Sequence, residues 1–176
     1  MDKEIEKSKY PVGKFKKPRK IDRTQIRVWI KVIEEFPNKV HNEINDLTDK
    51  ELNKRYRPGG WTISQIVNHC ADSHMNSLIR FKLALTEETP VIKPYVENLW
   101  AELPDSKNYP IDSSLKILAG LHERWVKLIE NLTEMELDKE FLHPENNEKV
   151  SLRVNIGIYA WHCEHHLAHI INAKRK

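Results

Sequence analysis

Apolar side chains recur along this chain at spacings of three, four and seven residues, the period of amphipathic helices. The first such stretch covers about residues 23–45 and includes Ile26, Ile30 and Ile33. Pro37 lies inside it and should kink the helix, because a proline removes one backbone hydrogen bond. The apolar stripe resumes in phase beyond Pro37, which favours one bent helix over two.

Three further helices have recognisable starts. Thr62 and Gln65 form a capping-box pattern ahead of an apolar stripe that runs to about Thr86. The third helix is predicted to begin at Asp112 as its cap. The fourth begins near Ser151 and runs to the end of the chain.

The segments between these helices predict how the bundle is assembled. Residues 88–110 contain four prolines and no clear period, so we expect a long connection, and residues 141–150 suit a small hairpin. Residues 47–56 resemble residues 132–141, and each copy follows one long helix and precedes another. Thr-x-x-Glu is also a common capping box, so the similarity of the two segments has a second explanation. We favour an all-α four-helix bundle made of two helical hairpins related by a pseudo-twofold axis.

The composition predicts a basic N-terminal arm followed by a single domain. Residues 1–22 have no apolar period and predict an extended arm, followed by a single domain over 23–176. The first twenty residues carry eight Lys or Arg against three Asp or Glu, so the net charge of +3 comes from the arm and predicts no nucleic-acid partner. No apolar run approaches the roughly 20 residues of a membrane span. Two cysteines and no secretory signal predict a cytoplasmic protein.

Four of the nine histidines lie close together on the last predicted helix, within a sector of about 100°. Imidazoles at i and i+4 can converge on one metal ion, and the candidate pairs are His162 with His166 and His165 with His169. We favour the first pair, because it lies nearer the apolar stripe and His165 lies nearer the polar side.

A catalytic metal needs a third ligand, and the second helix offers His69. A polar seam that includes Asn76 and Arg80 runs beside the buried stripe of that helix, which suits the wall of a polar pocket. Asp72 could accept the far N–H of a ligand imidazole. A single histidine in an apolar helix is more often a hydrogen-bonded core residue, so His69 taken alone would not indicate a metal.

The remaining histidines and both cysteines are predicted to have other roles. His41, His122 and His143 have no partners in the pattern and are expected to be surface or structural residues. Cys70 and Cys163 lie about 100° from the neighbouring ligand candidates, so we expect small core residues rather than ligands.

Several segments resemble one known family from about residue 10 to residue 170. They are residues 59–82 (GGWTISQIVNHCADSHMNSLIRFK), residues 86–90, Pro94-Tyr95, Trp125 and residues 159–169 (YAWHCEHHLAH). Together they resemble the YfiT-like branch of the DinB superfamily, which is related to bacillithiol transferases. The resemblance implies a four-helix bundle with one divalent metal ion on His69, His162 and His166. Imidazole ligands suit both zinc and nickel, so we expect one of these two metals.

The resemblance also implies a function. Three imidazoles leave an open position for water, and a metal-dependent hydrolase acting on a small molecule is the first hypothesis. The first alternative is a metal-dependent thiol S-transferase using bacillithiol or a similar low-molecular-weight thiol, and the second is a non-catalytic metal-binding stress protein. Asp72, Asn76 and Arg80 are candidate helpers. We expect a homodimer with no membrane partner.

Overall fold

The computed structural model describes residues 3–107 and 109–176, and its four long helices form the predicted bundle. In chain order the elements are α1 (Lys3–Lys9), α2 (Arg23–Ile44), α3 (Asp49–Leu52), α4 (Ile63–Thr86), α5 (Glu97–Trp100), α6 (Pro104–Lys107), α7 (Asp112–Glu130), α8 (Glu134–Leu137), β1 (Glu140–His143), β2 (Glu148–Ser151) and α9 (Leu152–Lys174). The long helices α2, α4, α7 and α9 pack on one another, with α2 and α4 each contacting both α7 and α9. None of the helices seen in the described chain is long and apolar enough to cross a membrane.

Apolar side chains from all four long helices fill the core. Trp125 of α7 is fully buried, with its ring edge-on to Phe81 of α4 and Tyr159 of α9 at centroid distances of 5.6 and 5.3 Å. Phe36 and Ile33 bring the stripe of α2 into the same core. Removing a side chain of this size from water contributes about 1.5–3 kcal/mol, so these contacts hold the histidine-bearing helices in place.

The start of α4 follows the predicted capping pattern, and the start of α7 departs from it. The hydroxyl of Thr62 accepts a hydrogen bond from the backbone N–H of Gln65, whose side chain accepts one from the backbone N–H of Thr62. Ser151 immediately precedes α9, as predicted. The prediction that Asp112 caps α7 is wrong. Ile111 occupies the cap position with helical backbone angles, so Asp112 lies within the first turn.

The similarity between residues 47–56 and residues 132–141 corresponds to two matching capped turns. α3 follows α2 and α8 follows α7, and each begins with a threonine–glutamate capping box, Thr48 with Glu51 and Thr133 with Glu136. Helix α2 is continuous through Pro37, so one helix rather than two is confirmed. The predicted hairpin is confirmed as the antiparallel pair β1 and β2.

The segments expected to lack regular structure contain short helices. The arm is not extended throughout, because residues 3–9 form α1, with acidic side chains in its first turn and lysines in its last, where they complement the helix dipole. The following residues run along α9, where the indole N–H of Trp161 donates to the carbonyl of Gly13 at 2.9 Å. The long connection holds α5 and α6, and its Val91 forms a parallel bridge with Leu142.

Candidate metal centre

Two helices present the three predicted ligands to one point. His69 lies in the second turn of α4, and His162 and His166 lie one turn apart on α9. The Nε2 atoms of His69 and His162 are 3.2 Å apart, and each of the three residues offers a ligand atom within 4.8 Å of the others. The structure therefore brings His69, His162 and His166 together.

Burial keeps these imidazoles neutral at pH 7. Desolvation, with smaller effects from His165 and His169, lowers the pKa of His69 from 6.5 to about 4. Desolvation is also the largest cause that lowers the pKa values of His162 and His166 well below 6.5. A neutral imidazole has one nitrogen with a free lone pair, which is the form that binds a metal.

Two further buried imidazoles stand behind His162. The Nδ1 atom of His162 lies 2.9 Å from Nε2 of His74, and Nδ1 of His74 lies 2.7 Å from Nε2 of His122. The Nδ1–H of His122 donates to the backbone carbonyl of Ile33 at 2.6 Å. The expectation that His122 has no partner is therefore wrong, and His74 is a site residue that the sequence reasoning missed.

The helical spacing of His74 and His122 from nearby aromatic residues does indicate where they lie. His74 lies seven residues before Phe81, and His122 lies three residues before Trp125, so both histidines share a face with core aromatic residues. This places them in the core. It does not identify their partners, because contacts between α4, α7 and α9 depend on how the helices pack.

His165 and His169 are also buried, although His165 was expected nearer the polar side. The N-terminal arm covers them, with the ring of Tyr10 at 5.9 Å from that of His165. The Nε2–H of His169 donates to the carbonyl of Lys9 at 3.2 Å, and its Nδ1 lies 3.4 Å from Nδ1 of His166. The arm was predicted from composition alone, which does not show which face it covers.

Two other groups of side chains have ligand atoms as close together. They are Cys70, His74 and His162, and His165, His166 and His169. Burial raises the pKa of the Cys70 thiol, so it is protonated at pH 7. Both nitrogens of His74 are in hydrogen bonds, as are both of His169, whereas among the described residues the Nε2 atom of His162 contacts only the other ligand candidate, His69. The group containing His69 is therefore the best placed to hold a metal. Cys70 and Cys163 are buried free cysteines, as expected of core residues.

A cavity of about 450 Å³ opens at the histidine cluster. Its wall combines aromatic rings, charged groups and the histidines: Tyr10, Tyr56, Trp61, Trp161, Lys9, Arg57, Glu97, His69, His162, His165, His166 and His169. A larger surface groove of about 620 Å³ is lined by α2, the end of α7 and Leu132, and has no histidine in its lining. The first cavity is of the size that encloses a small molecule.

The three candidate helpers lie outside the lining of that cavity. Burial raises the pKa of the half-buried Asp72 to about 6, and the side-chain amide of Asn76 donates to the backbone carbonyl of Asp72. Across residues 3–107 and 109–176, no hydrogen bond joins the Asp72 carboxylate to a histidine. The charge of Arg80 acts on Glu97, a residue that lines the cavity. The helper role of these residues stays a prediction.

The donor set fits a divalent ion. Zinc lies about 2.0–2.1 Å from imidazole nitrogens, so two ligands at a tetrahedral angle are about 3.3 Å apart. The separation of 3.2 Å between the Nε2 atoms of His69 and His162 agrees with this spacing. Neutral imidazole is a ligand for both zinc and nickel.

Comparisons with known proteins agree with this geometry. The chain is 52% identical to a Bacillus cereus protein and 51% identical to a Bacillus anthracis protein, each over 168 residues. Each match covers 96% of both chains. Both relatives are named "putative metal-dependent hydrolase". It is also similar to a solved structure, YfiT from Bacillus subtilis, with a TM-score of 0.93, 46% identity and coverage of 96% of this chain and 97% of that one. YfiT is described as "a probable metal-dependent hydrolase with an unusual four-helix bundle topology". The family model of the DinB superfamily matches residues 33–170, and this chain therefore belongs to the DinB superfamily.

Proposed function

We propose that this protein is a metal-dependent hydrolase whose divalent ion, zinc or nickel, is held by His69, His162 and His166. The observation that carries the proposal is the convergence of three neutral imidazoles on the wall of a 450 Å³ cavity. The names given to relatives at 52% and 46% identity support the same reaction class.

A divalent ion on three imidazoles keeps at least one position for water or substrate, lowers the pKa of bound water to about 7 and polarises a carbonyl group. The chain contributes the conditions for this chemistry. Burial keeps the ligand imidazoles neutral, and the ring of Trp61 packs beside that of His69, with their centroids 4.6 Å apart.

The charges of the cavity favour a small substrate that carries an anionic group. Lys9 and Arg57 both line the cavity, against one acidic residue, Glu97. The Nε–H of Arg57 is buried without a hydrogen-bond partner among the described residues, and one of its terminal nitrogens donates to the carbonyl of Pro58. A guanidinium can bind a carboxylate through two parallel hydrogen bonds, so we propose Arg57 as the group that orients the substrate.

The proposal is tested with protein purified without a histidine tag and a panel of small carboxylate-bearing esters and amides. We expect hydrolysis without added thiol that stops on chelation and returns with zinc or nickel. Arg57→Lys should raise KM more than it lowers kcat, because lysine keeps the charge but not the paired geometry. Hydrolysis that continues unchanged in the chelated protein would contradict the proposal.

A thiol transferase would give a different result in the same assay. A low-molecular-weight thiol would then change the visible spectrum of the cobalt-substituted protein by sulfur coordination, and turnover would require that thiol. This outcome, without thiol-free hydrolysis, would replace the hydrolase by the transferase alternative. Bound metal with no turnover by either route would favour the non-catalytic alternative.

A further inference from the structure

The ligand His162 is the first of three imidazoles in a continuous hydrogen-bonded row. The row runs from α9 through His74 of α4 to His122 of α7 and ends on the carbonyl of Ile33 in α2. Its three donor–acceptor distances are 2.9, 2.7 and 2.6 Å, and His74 and His122 have relative exposures of 0% and 1%. All four long helices of the bundle therefore contribute to it.

The end of the row determines where its hydrogens lie. A backbone carbonyl can only accept, so Nδ1 of His122 carries the hydrogen, and Nε2 of the neutral ring must accept. Nδ1 of His74 then donates to that Nε2, which leaves Nε2 of His74 as an acceptor. Nδ1 of His162 donates to it in turn, and the free lone pair of His162 is on Nε2, the atom that lies 3.2 Å from His69.

We propose that His74 and His122 are positioning residues that hold His162 in its Nδ1–H tautomer, with the Nε2 lone pair directed at the metal centre. The inference rests on the proposed metal site. Neither residue is a ligand, because the row occupies both nitrogens of each. Without the row, His162 could place its hydrogen on Nε2, where it would block coordination.

A shorter row acts on His166 in the same way. The carbonyl of Lys9 accepts from Nε2–H of His169, so Nδ1 of His169 is an acceptor for Nδ1–H of His166. This leaves the lone pair of His166 on Nε2 as well. Because its imidazole contact is longer, at 3.4 Å, we expect this row to constrain its ligand less than the row behind His162 does.

The first test needs no variant and no metal. Imidazole ¹⁵N–¹H correlation spectra of the chelated wild-type protein at pH 8 report which nitrogen of each ring carries the hydrogen. We expect Nδ1–H for His162, His74 and His122, and Nε2–H for His169. An Nε2–H tautomer at His162 would overturn the proposal.

The second test compares two substitutions at one position by metal affinity, measured by chelator competition with zinc. His74→Phe keeps an aromatic ring among Phe36, Trp125 and Tyr159 but removes the acceptor, and we expect metal binding to weaken about 10- to 100-fold. In His74→Gln the amide oxygen can accept from His162, so affinity should return to within about threefold of wild type, and spectra should again show Nδ1–H at His162.

The controls distinguish a failure of the positioning role from a failure of the proposed metal site. His41→Gln alters an exposed histidine and should change neither the affinity nor the spectra. Wild-type protein that binds no metal would refute the proposed metal site, whatever the tautomers are. Wild-type protein that binds metal, with His74→Phe binding equally well, would refute the positioning role alone. If His74→Phe does not fold, the same comparison is made with His122→Phe, for which we also expect weaker binding.

Discussion

At the scale of single residues, six buried histidines and the partly buried His162 divide into three roles. His69, His162 and His166 present nitrogens to a common point, whereas His74, His122 and His169 use both ring nitrogens in hydrogen bonds. His165 packs its ring against the ring of Trp161 at 4.6 Å, beside the cavity. The helical spacing within α9 gave two candidate pairs, and the apolar stripe favoured His162 and His166, which the structure brings close to His69. Contacts between different helices, such as that of His74 with His162, could not be predicted, because spacing along one helix does not fix its rotation against another.

The first prediction concerns the ligands. His69→Ala, His162→Ala and His166→Ala should each abolish stoichiometric binding of cobalt, because two remaining imidazoles form a weak site. Equilibrium dialysis at pH 8 measures the bound ion per chain. His169→Ala is the matched control and should keep stoichiometric binding, with at most a modest loss of affinity. Loss of binding in His169→Ala together with intact binding in His162→Ala would show that the wrong pair on α9 has been chosen.

At the scale of secondary-structure elements, the sequence predicted the long helices better than the short ones. Apolar periodicity and the capping box at Thr62 located α2 and α4 closely. Helices α1, α5 and α6 have four to seven residues and no apolar period, so no pattern distinguished them from loops. Asp112 was assigned as a cap from residue type, whereas the cap position depends on backbone angles that the sequence does not fix.

The second prediction concerns the start of α4, which carries His69. Thr62→Ala removes the hydroxyl that accepts from the backbone N–H of Gln65, and should lower the free energy of unfolding by about 1 kcal/mol. Urea unfolding should show a lower midpoint with an unchanged slope. Thr62→Ser keeps the acceptor and should recover most of the loss. Equal destabilisation by alanine and serine would indicate that the methyl group of Thr62, and not its cap, stabilises this end.

At the scale of the whole molecule, the bundle and the arm together bury most of a cluster of imidazoles. The four-helix architecture was predicted from the apolar periodicity and from the similarity of residues 47–56 to residues 132–141. The enclosure of His165 and His169 by the arm was not, because a polar segment without a period gives no docking signal. This enclosure disfavours the protonated form of each buried imidazole, because burial removes the water that would solvate its charge.

The third prediction is a loss of stability in acid for the chelated protein. Burial lowers the pKa values of His69, His122, His165 and His169 from 6.5 to about 4. Between these pH values the unfolded chain binds more protons than the folded one, so the free energy of unfolding falls as pH falls, by at most about 1.4 kcal/mol per pH unit for each histidine. The raised pKa values of Asp72 and Glu97 act in the opposite direction, but these are two groups against four histidines.

Thermal unfolding from pH 8 to pH 4 measures this dependence. The melting temperature of the chelated protein should be nearly constant above about pH 7.5 and fall steeply below about pH 6.5. Saturating zinc should raise it at neutral pH, because a ligand that binds only the folded state stabilises that state. A melting temperature that stays flat down to pH 5 would show that these histidines are not buried in neutral form.

We propose that three imidazoles, and no thiolate, bind the metal. X-ray absorption at the zinc edge of the tag-free, zinc-loaded protein measures this most directly. We predict three imidazole nitrogens at about 2.0–2.1 Å, with the outer-shell scattering of imidazole rings and no sulfur ligand. A sulfur scatterer at about 2.3 Å in the protein without added thiol would place Cys70 in the site and contradict the claim.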